Sequence, residues 1–356
     1  MAYTTINKST DYFNTVLYTG TGSSNSVTGV GFRPDWLWIK NRSTTASHIV
    51  QDVVRGATKQ VYPDLNNSEV TGSDGVSSFD SDGFTVGTGA SFNGNGNGIV
   101  AWSWLAGGSQ GSANTDGTIN TTYTSVNSSS GFSISKYTGN GSQGATVGHG
   151  LGAAPQFIAI KSLDSANNWA IGTGKYNNAS NPWDYYVEFN DNDARAQNNN
   201  RFANVAPTST VFSIGSSGAV NNNTENYIAY CFLEKTGFSK FGIYFGNGNA
   251  DGSFIYTGFK PAFVMIKQET GNQGWMMHDN KRNNPSALLG NTVDATLYTS
   301  QTAAEATSGF DIDFYSNGFK PRNTDAAHNA NNNSYVYWAF AEEPLVSSNN
   351  IPATAR

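Results

Sequence analysis

The sequence predicts an all-β protein made of three tandem antiparallel β-sandwich domains, jelly-roll or lectin-like in type, and three observations carry that prediction. Charged residues and aromatic residues each make up 13% of the 356-residue chain, with Gly, Asn, Ser and Thr abundant around them, the balance of a turn-dense β protein rather than a helical one. Short runs of β-branched and aromatic residues alternate with turns such as Asp74-Gly75, Asp82-Gly83, Asp116-Gly117 and Asp251-Gly252, dipeptides that favour tight hairpins. The same set of runs recurs three times at a domain-sized interval, and no long helical period interrupts them.

Each copy opens on an aromatic-glycine turn: YTGTG at 18–22, YTGNG at 137–141 and YFGNG at 244–248. A proline then leads an apolar run that ends in lysine, PDWLWIK at 34–40, PQFIAIK at 155–161 and PAFVMIK at 261–267. Proline suits the mouth of a strand, where its missing N–H removes no ladder bond. A second strand follows, marked by His48, Trp169 or Trp275 and, two positions on, by Val50, Ile171 or Met277. FDSDGF at 79–84 in the first copy answers FYSNGF at 314–319 in the third, while the second is reduced to Val211-Phe212. Each copy closes on an aromatic strand, IVAWSW at 99–104, YIAYCF at 227–232 and YVYWAF at 335–340. The motif DVVRG at 52–56 has no clear counterpart in the later copies.

These runs place the sandwiches at 1–108, 131–236 and 237–346, with a Gly/Ser/Thr/Asn-rich linker at 109–130 and a polar C-terminal arm at 347–356. The linker's composition predicts a first domain that moves relative to the second. The short join EKTG at 234–237 predicts that the second and third pack closely. Residues 1–11 and the polar tail read as arms for docking on other subunits.

Composition also narrows the function. A net charge of −6 with scattered Lys and Arg argues against nucleic acid, whose phosphates call for clustered cations. No window approaches the roughly 20 apolar residues that span a bilayer, so no membrane insertion is expected. One cysteine leaves no intrachain disulfide, and the first residues lack the basic and apolar regions of a secretory signal, so folding in a cytoplasm is expected. The Asn-, Gly- and aromatic-rich composition is nevertheless that of surface adhesins and fibres.

VLYTGTG, GVGFRPDWLWIKNR, DVVRG, FDSDGF and IVAWSWLAGG, between Val16 and Gly108, together resemble an uncharacterised β-rich domain repeated in tail and other virion proteins of marine bacteriophages. The first copy carries the resemblance most fully. It implies a virion structural protein assembled in the host cytoplasm, with other virion proteins as partners and, as is common for phage fibres, homotrimerisation. It names no ligand.

The expected role is a tail fibre or other tail-associated adsorption protein that contacts host-surface glycan; the alternative is a capsid or tail decoration protein with no host ligand. Sugars are gripped by aromatic faces with Asn and Asp beside them, and NPWDYY at 181–186, unmatched in the other copies, offers Trp183, Asp184, Tyr185 and Tyr186. The competing reading puts Tyr185 and Tyr186 in a strand with one side chain in the core. No enzyme is expected: there is no nucleophile with a base, no phosphate loop, and Cys231 sits mid-strand where the other copies have Ser103 and Ala339. A carboxylate pair assembled from distant strands for glycan hydrolysis stays open. No cofactor or metal is expected. His149, His278 and His328 sit in loop-like surroundings, and NGNADG at 247–252 imitates a calcium loop yet has Gly258 at the twelfth position, so it reads as a hairpin. Glu188, Asp191 and Asp193 form the other acidic cluster.

Overall fold

The computed structural model describes residues 4–177, 179–282, 291–307, 309–347 and 352–353. It is almost entirely antiparallel β-structure, as expected. The first lobe contains β1 (Phe13–Thr19), β2 (Asn25–Thr28), β3 (Trp36–Asn41), β4 (Ile49–Asp52), β5 (Val76–Asp80), β6 (Gly83–Val86) and β7 (Gly98–Trp104). After β8 (Thr121–Asn127), the second lobe contains β9 (Phe132–Thr138), β10 (Ala145–Gly148), β11 (Phe157–Ser162), β12 (Ala170–Thr173), β13 (Val211–Ile214) and β14 (Asn226–Phe232). The third contains β15 (Ser239–Phe245), β16 (Ile255–Tyr256), β17 (Phe259–Gln268), β18 (Met276–Asp279), β19 (Leu297–Tyr298), β20 (Ile312–Tyr315), β21 (Gly318–Pro321) and β22 (Ser334–Pro344).

The main sheets run β1-β7-β3-β4, β9-β14-β11-β12 and β15-β22-β17-β18, the same order each time. Register makes Trp36, Phe157 and Phe263 equivalent, each opposite Asp52, Thr173 or Asp279 on the next strand. The closing strands are apolar at nearly every position instead of alternating because both faces of the main sheet are covered. In the first lobe Leu37, Ile39, Ile99 and Ala101 face a smaller sheet, β2-β6-β5, through Val27, Phe84 and Val86. From the other face Trp36, Trp38, Trp102 and Trp104 enter a core shared with Phe157, Tyr230 and Phe232 of the second lobe and Phe263, Met265, Trp338 and Phe340 of the third. Trp338 stacks on both Phe157 (4.9 Å) and Trp104 (5.7 Å), and Trp36 meets Tyr230 at 4.9 Å. Three main sheets of the same strand order thus close around one aromatic centre.

That closure changes two expectations. The predicted linker, 109–130, is not a free tether: within it β8 adds a strand to the outer edge of β9, and Ile119 and Thr121 are buried. Its Thr-Tyr-Thr-Ser-Val chemistry is that of a strand, and only its flanks are linker-like. The N-terminal arm is also docked within the chain, with Ile6 in the central core and the Thr4 hydroxyl donating to the Thr236 carbonyl at 2.8 Å. The predicted C-terminal arm lies largely outside the described residues.

The lobes are laced by one cyclic pattern of polar contacts. The lysines that end the proline-led runs are buried, and each ammonium donates to a carbonyl of a neighbouring lobe: Lys40 to Thr302 (3.2 Å), Lys161 to Asn66 (3.2 Å) and Lys267 to Asn192 (3.0 Å). Two residues beyond each lysine a carbonyl accepts a backbone N–H from the same neighbour: Arg42 from Glu305 (3.0 Å), Leu163 from Glu69 (2.9 Å) and Glu269 from Arg195 (2.8 Å). Trp169 Nε1 donates to the Tyr62 carbonyl (2.8 Å) and Trp275 Nε1 to that of Glu188 (3.1 Å), again lobe to lobe. His48 takes the place of those tryptophans, buried, and its Nδ1 accepts from Trp38 Nε1 at 2.9 Å.

DVVRG does have a counterpart. Asp52 Oδ1 accepts from the Val54 and Arg55 amides while Arg55 Nε binds Asp52 Oδ2; Asp279 and Arg282 repeat this arrangement with the Lys281 and Arg282 amides. The Asp-to-Arg spacing is kept and only the residues between them differ. Each buried carboxylate also accepts from another lobe: Asp52 from the Tyr230 hydroxyl (2.7 Å), Asp279 from Trp102 Nε1 (2.9 Å). Thr173 holds the third equivalent position, and the indole N–H of Trp338, equivalent to Tyr230 and Trp102, has no acceptor among the described residues.

Candidate functional site

The repeated motifs serve the fold. The tyrosine of each opening turn donates its hydroxyl across the lobe, Tyr18 to Phe92 O (2.6 Å), Tyr137 to Val220 O (2.7 Å) and Tyr244 to His328 O (2.7 Å). The next residue in each case is a buried asparagine, Asn93, Asn221 or Asn329, whose Oδ1 accepts the amide of Thr21, Asn140 or Asn247. Glycine is required at the third position of the turn because a Cβ on Gly20, Gly139 or Gly246 would lie 2.1–2.3 Å from a carbonyl oxygen. A ligand site is therefore sought where the lobes differ.

NPWDYY is one such place, and the structure does not leave its rings open. Trp183 is 5% exposed and packs edge-on against Phe202 in the second lobe's core, with its amide bound by Asn181. Asp184 accepts from Gln197. Tyr185 packs on the central core beneath the Arg195 guanidinium (4.8 Å), and Tyr186 packs on the second lobe's core beneath Arg201 (4.7 Å). The sequence brought these residues together because a 3₁₀ turn, Pro182–Asp184, folds the tryptophan inward. The hydrophobic patch that suggested a sugar platform is mostly core.

The acidic and histidine candidates are likewise engaged. Asp251 of NGNADG pairs with Lys320 (2.6 Å) and Arg322 (2.7 Å), which hold its carboxyl below the usual range. Glu188 is bound by Asn168 and Arg201, with its pKa raised by burial. All four histidines are buried, and His278 lies within β18 rather than in a loop. Burial pushes every one of them toward the neutral form, His328 to about 4. Among the described residues no three His, Cys, Asp or Glu side chains are grouped to hold a metal. Burial also raises the pKa of Cys231, the mark of an inert thiol.

What remains is the outer edge of the third lobe. Phe245, Phe254 and Tyr256 are each 48% exposed, with Ile243 beside them. Ile243, Phe254 and Tyr256 border a groove of about 510 Å³ between the second and third lobes, floored by β15 and walled by Lys175, Glu234, Lys240 and Tyr337. Lys240 lies over the Tyr256 ring at 5.6 Å. Alternation along β15 turns Tyr244 into the third lobe's own core and puts Phe241, Ile243 and Phe245 on the other face, where Phe241 enters the central core and Ile243 and Phe245 stay exposed.

No curated protein and no solved structure matches the chain. A domain family described as a domain of unknown function, DUF7483, matches residues 8–344 in a single span across all three lobes. The chain belongs to that family, DUF7483.

Proposed function

We propose that the chain is a non-enzymatic structural protein of a bacteriophage virion, a component of the tail that meets host-surface glycan with its outward loops. The observation that carries this reading is where the polar chemistry goes. Buried lysines and the Asp52 and Asp279 carboxylates hold three lobes as one body, while the turn asparagines brace each lobe from within. The loops between strands are left with Asn, Ser, Thr and Gly, side chains suited to hydroxyl-rich surfaces. The phage-like motifs of the first lobe supply the virion context.

A role as a decoration protein between virion subunits is the second reading, favoured by the exposed apolar edge of the third lobe. Cryo-electron microscopy of the virion that carries this chain separates the two. Density at the distal end of a tail appendage, with binding of the purified chain to host glycans, supports adsorption. Density seated on the capsid lattice or between tail subunits overturns it.

A further inference from the structure

We propose that the groove between the second and third lobes receives an extended strand of another protein, paired along the open edge of β15 as β8 pairs along β9. The three lobes repeat one arrangement about a pseudo-threefold axis. The outer strands β1, β9 and β15 are equivalent, and grooves walled by a neighbouring lobe lie beside β1 and β15. Beside β9, between the first and second lobes, the chain fills the groove itself: β8 pairs from Thr121↔Tyr137 to Asn127↔Phe132, and Gln110 Nε2 donates to the Val54 carbonyl of the first lobe (2.8 Å). Beside β1 the N-terminal residues Asn7, Lys8 and Thr10 form part of the lining. Beside β15 the chain has no residues to spare, because only a short turn separates it from β14. Among the described residues no strand pairs with its outer edge beyond the single Lys235–Ser239 bridge.

An unpaired edge with exposed apolar residues is the setting for strand addition, in which backbone bonds supply affinity and alternate side chains supply selectivity. The edge carries Ile243 and Phe245, and Tyr256 and Phe254 stand beside it. Register tells what the incoming strand must bring. Lys240, Phe241 and Gly242 are equivalent to Ser133, Ile134 and Ser135, which face Val126, Ser125 and Thr124 of β8. Where the filled groove has neutral Val54 and Ser133, the open one has Lys175 and Lys240 against the single Glu234. The partner is therefore a β-branched or aromatic strand with an acidic side chain opposite Lys240, and in the proposed setting a neighbouring virion protein supplies it. The inference does not rest on glycan binding.

The test is hydrogen–deuterium exchange of the full chain with a synthetic peptide covering 118–128, in which Val126→Glu has been made. Slower exchange of the β15 amides by tenfold or more, saturating below about 1 mM peptide, is expected. Lys240→Glu in the protein should abolish that protection, and a peptide with Val126→Lys should restore it, which separates pairing at this edge from a folding defect. Unchanged exchange at 1 mM peptide overturns the proposal. So does protection of β15 that appears on concentrating the protein alone, which assigns the edge to a second copy, or on adding host glycan, which assigns it to sugar.

Discussion

Arg195 and Glu269 make the same inter-lobe ion pair as Glu305 and Arg42, with the charges exchanged. The backbone N–H of Glu305 donates to the Arg42 carbonyl and that of Arg195 to the Glu269 carbonyl, so the two pairs occupy equivalent places in the cycle. Arg42 grips Glu305 with two bonds (2.9 and 2.6 Å), and Arg195 reaches Glu269 at 2.9 Å. At the third junction Leu163 replaces the charged residue, and Glu69 turns to Arg55 and Lys59 of its own lobe. Three junctions thus keep one backbone bond while their side chains have diverged, as copies within a single chain are free to do.

Because the Glu269 side chain is fully buried, removing its partner strands a carboxylate. Arg195→Ala is expected to cost about 3–5 kcal/mol in urea unfolding. Among the described residues Glu269 then keeps the Asn177 amide alone, which it already binds through both oxygens at 3.1 Å. Replacing both Arg195 and Glu269 with leucine, the residue that stands in Glu269's place at the third junction, should cost less than Arg195→Ala alone. A double variant worse than the single one would mean that the pair does more than satisfy its own buried charges.

The three inter-lobe lysines give a pH dependence with a definite sign. Burial lowers each ammonium's pKa from 10.5 to about 8. Between those values the unfolded chain holds protons that the folded chain has released, so stability rises with pH across that window and the gain is lost as pH falls through 8. The neutral amine still has two N–H donors for its two carbonyls. The urea midpoint should therefore increase from pH 7.5 to 9.5, and Lys40→Met, Lys161→Met and Lys267→Met combined should flatten the slope. A midpoint that falls over this range, with or without the lysines, would remove them as its cause.

Cooperativity follows from the shared core. Trp338 of the third lobe stacks on residues of both others, and Tyr230 and Trp102 carry hydrogen bonds between lobes. Calorimetry should show one transition with equal calorimetric and van't Hoff enthalpies. Tyr230→Phe, which takes a donor from the buried Asp52, is expected to lower stability by about 1–3 kcal/mol and to shift that single transition as a whole. Three resolved transitions would show that the lobes fold independently.

The repeats, the strand positions and the all-β class were legible because each motif is local: a proline, an alternating or apolar run, a glycine turn. How the copies meet was written less plainly. The signal lay in YIAYCF and YVYWAF, whose unbroken apolarity demands cover on both faces, whereas a free sandwich would show polar residues on one. Strand β8 was hidden by the Gly and Ser around it, and the second Asp-x-x-Arg was hidden by Asn280-Lys281 in place of two valines. The candidate site was the least legible part. An aromatic cluster in sequence says nothing of which side its rings take, and NPWDYY and the β15 edge look alike until packing sorts them.

Trp183 puts that distinction to a measurement. As a sugar platform its loss would weaken glycan binding and leave the fold intact. As a core residue packed on Phe202, with the Gly172 and Gly174 backbone close to its ring, it leaves a cavity when truncated. Trp183→Ala is expected to cost about 3–5 kcal/mol. Tyr256→Ala, at a half-exposed ring, should change stability by only about 0.5 kcal/mol. Urea unfolding of the two variants side by side checks both figures. A stable Trp183→Ala protein would return that ring to the list of ligand contacts, and a strongly destabilised Tyr256→Ala would mean that the third lobe's outer edge supports the fold as well as facing solvent.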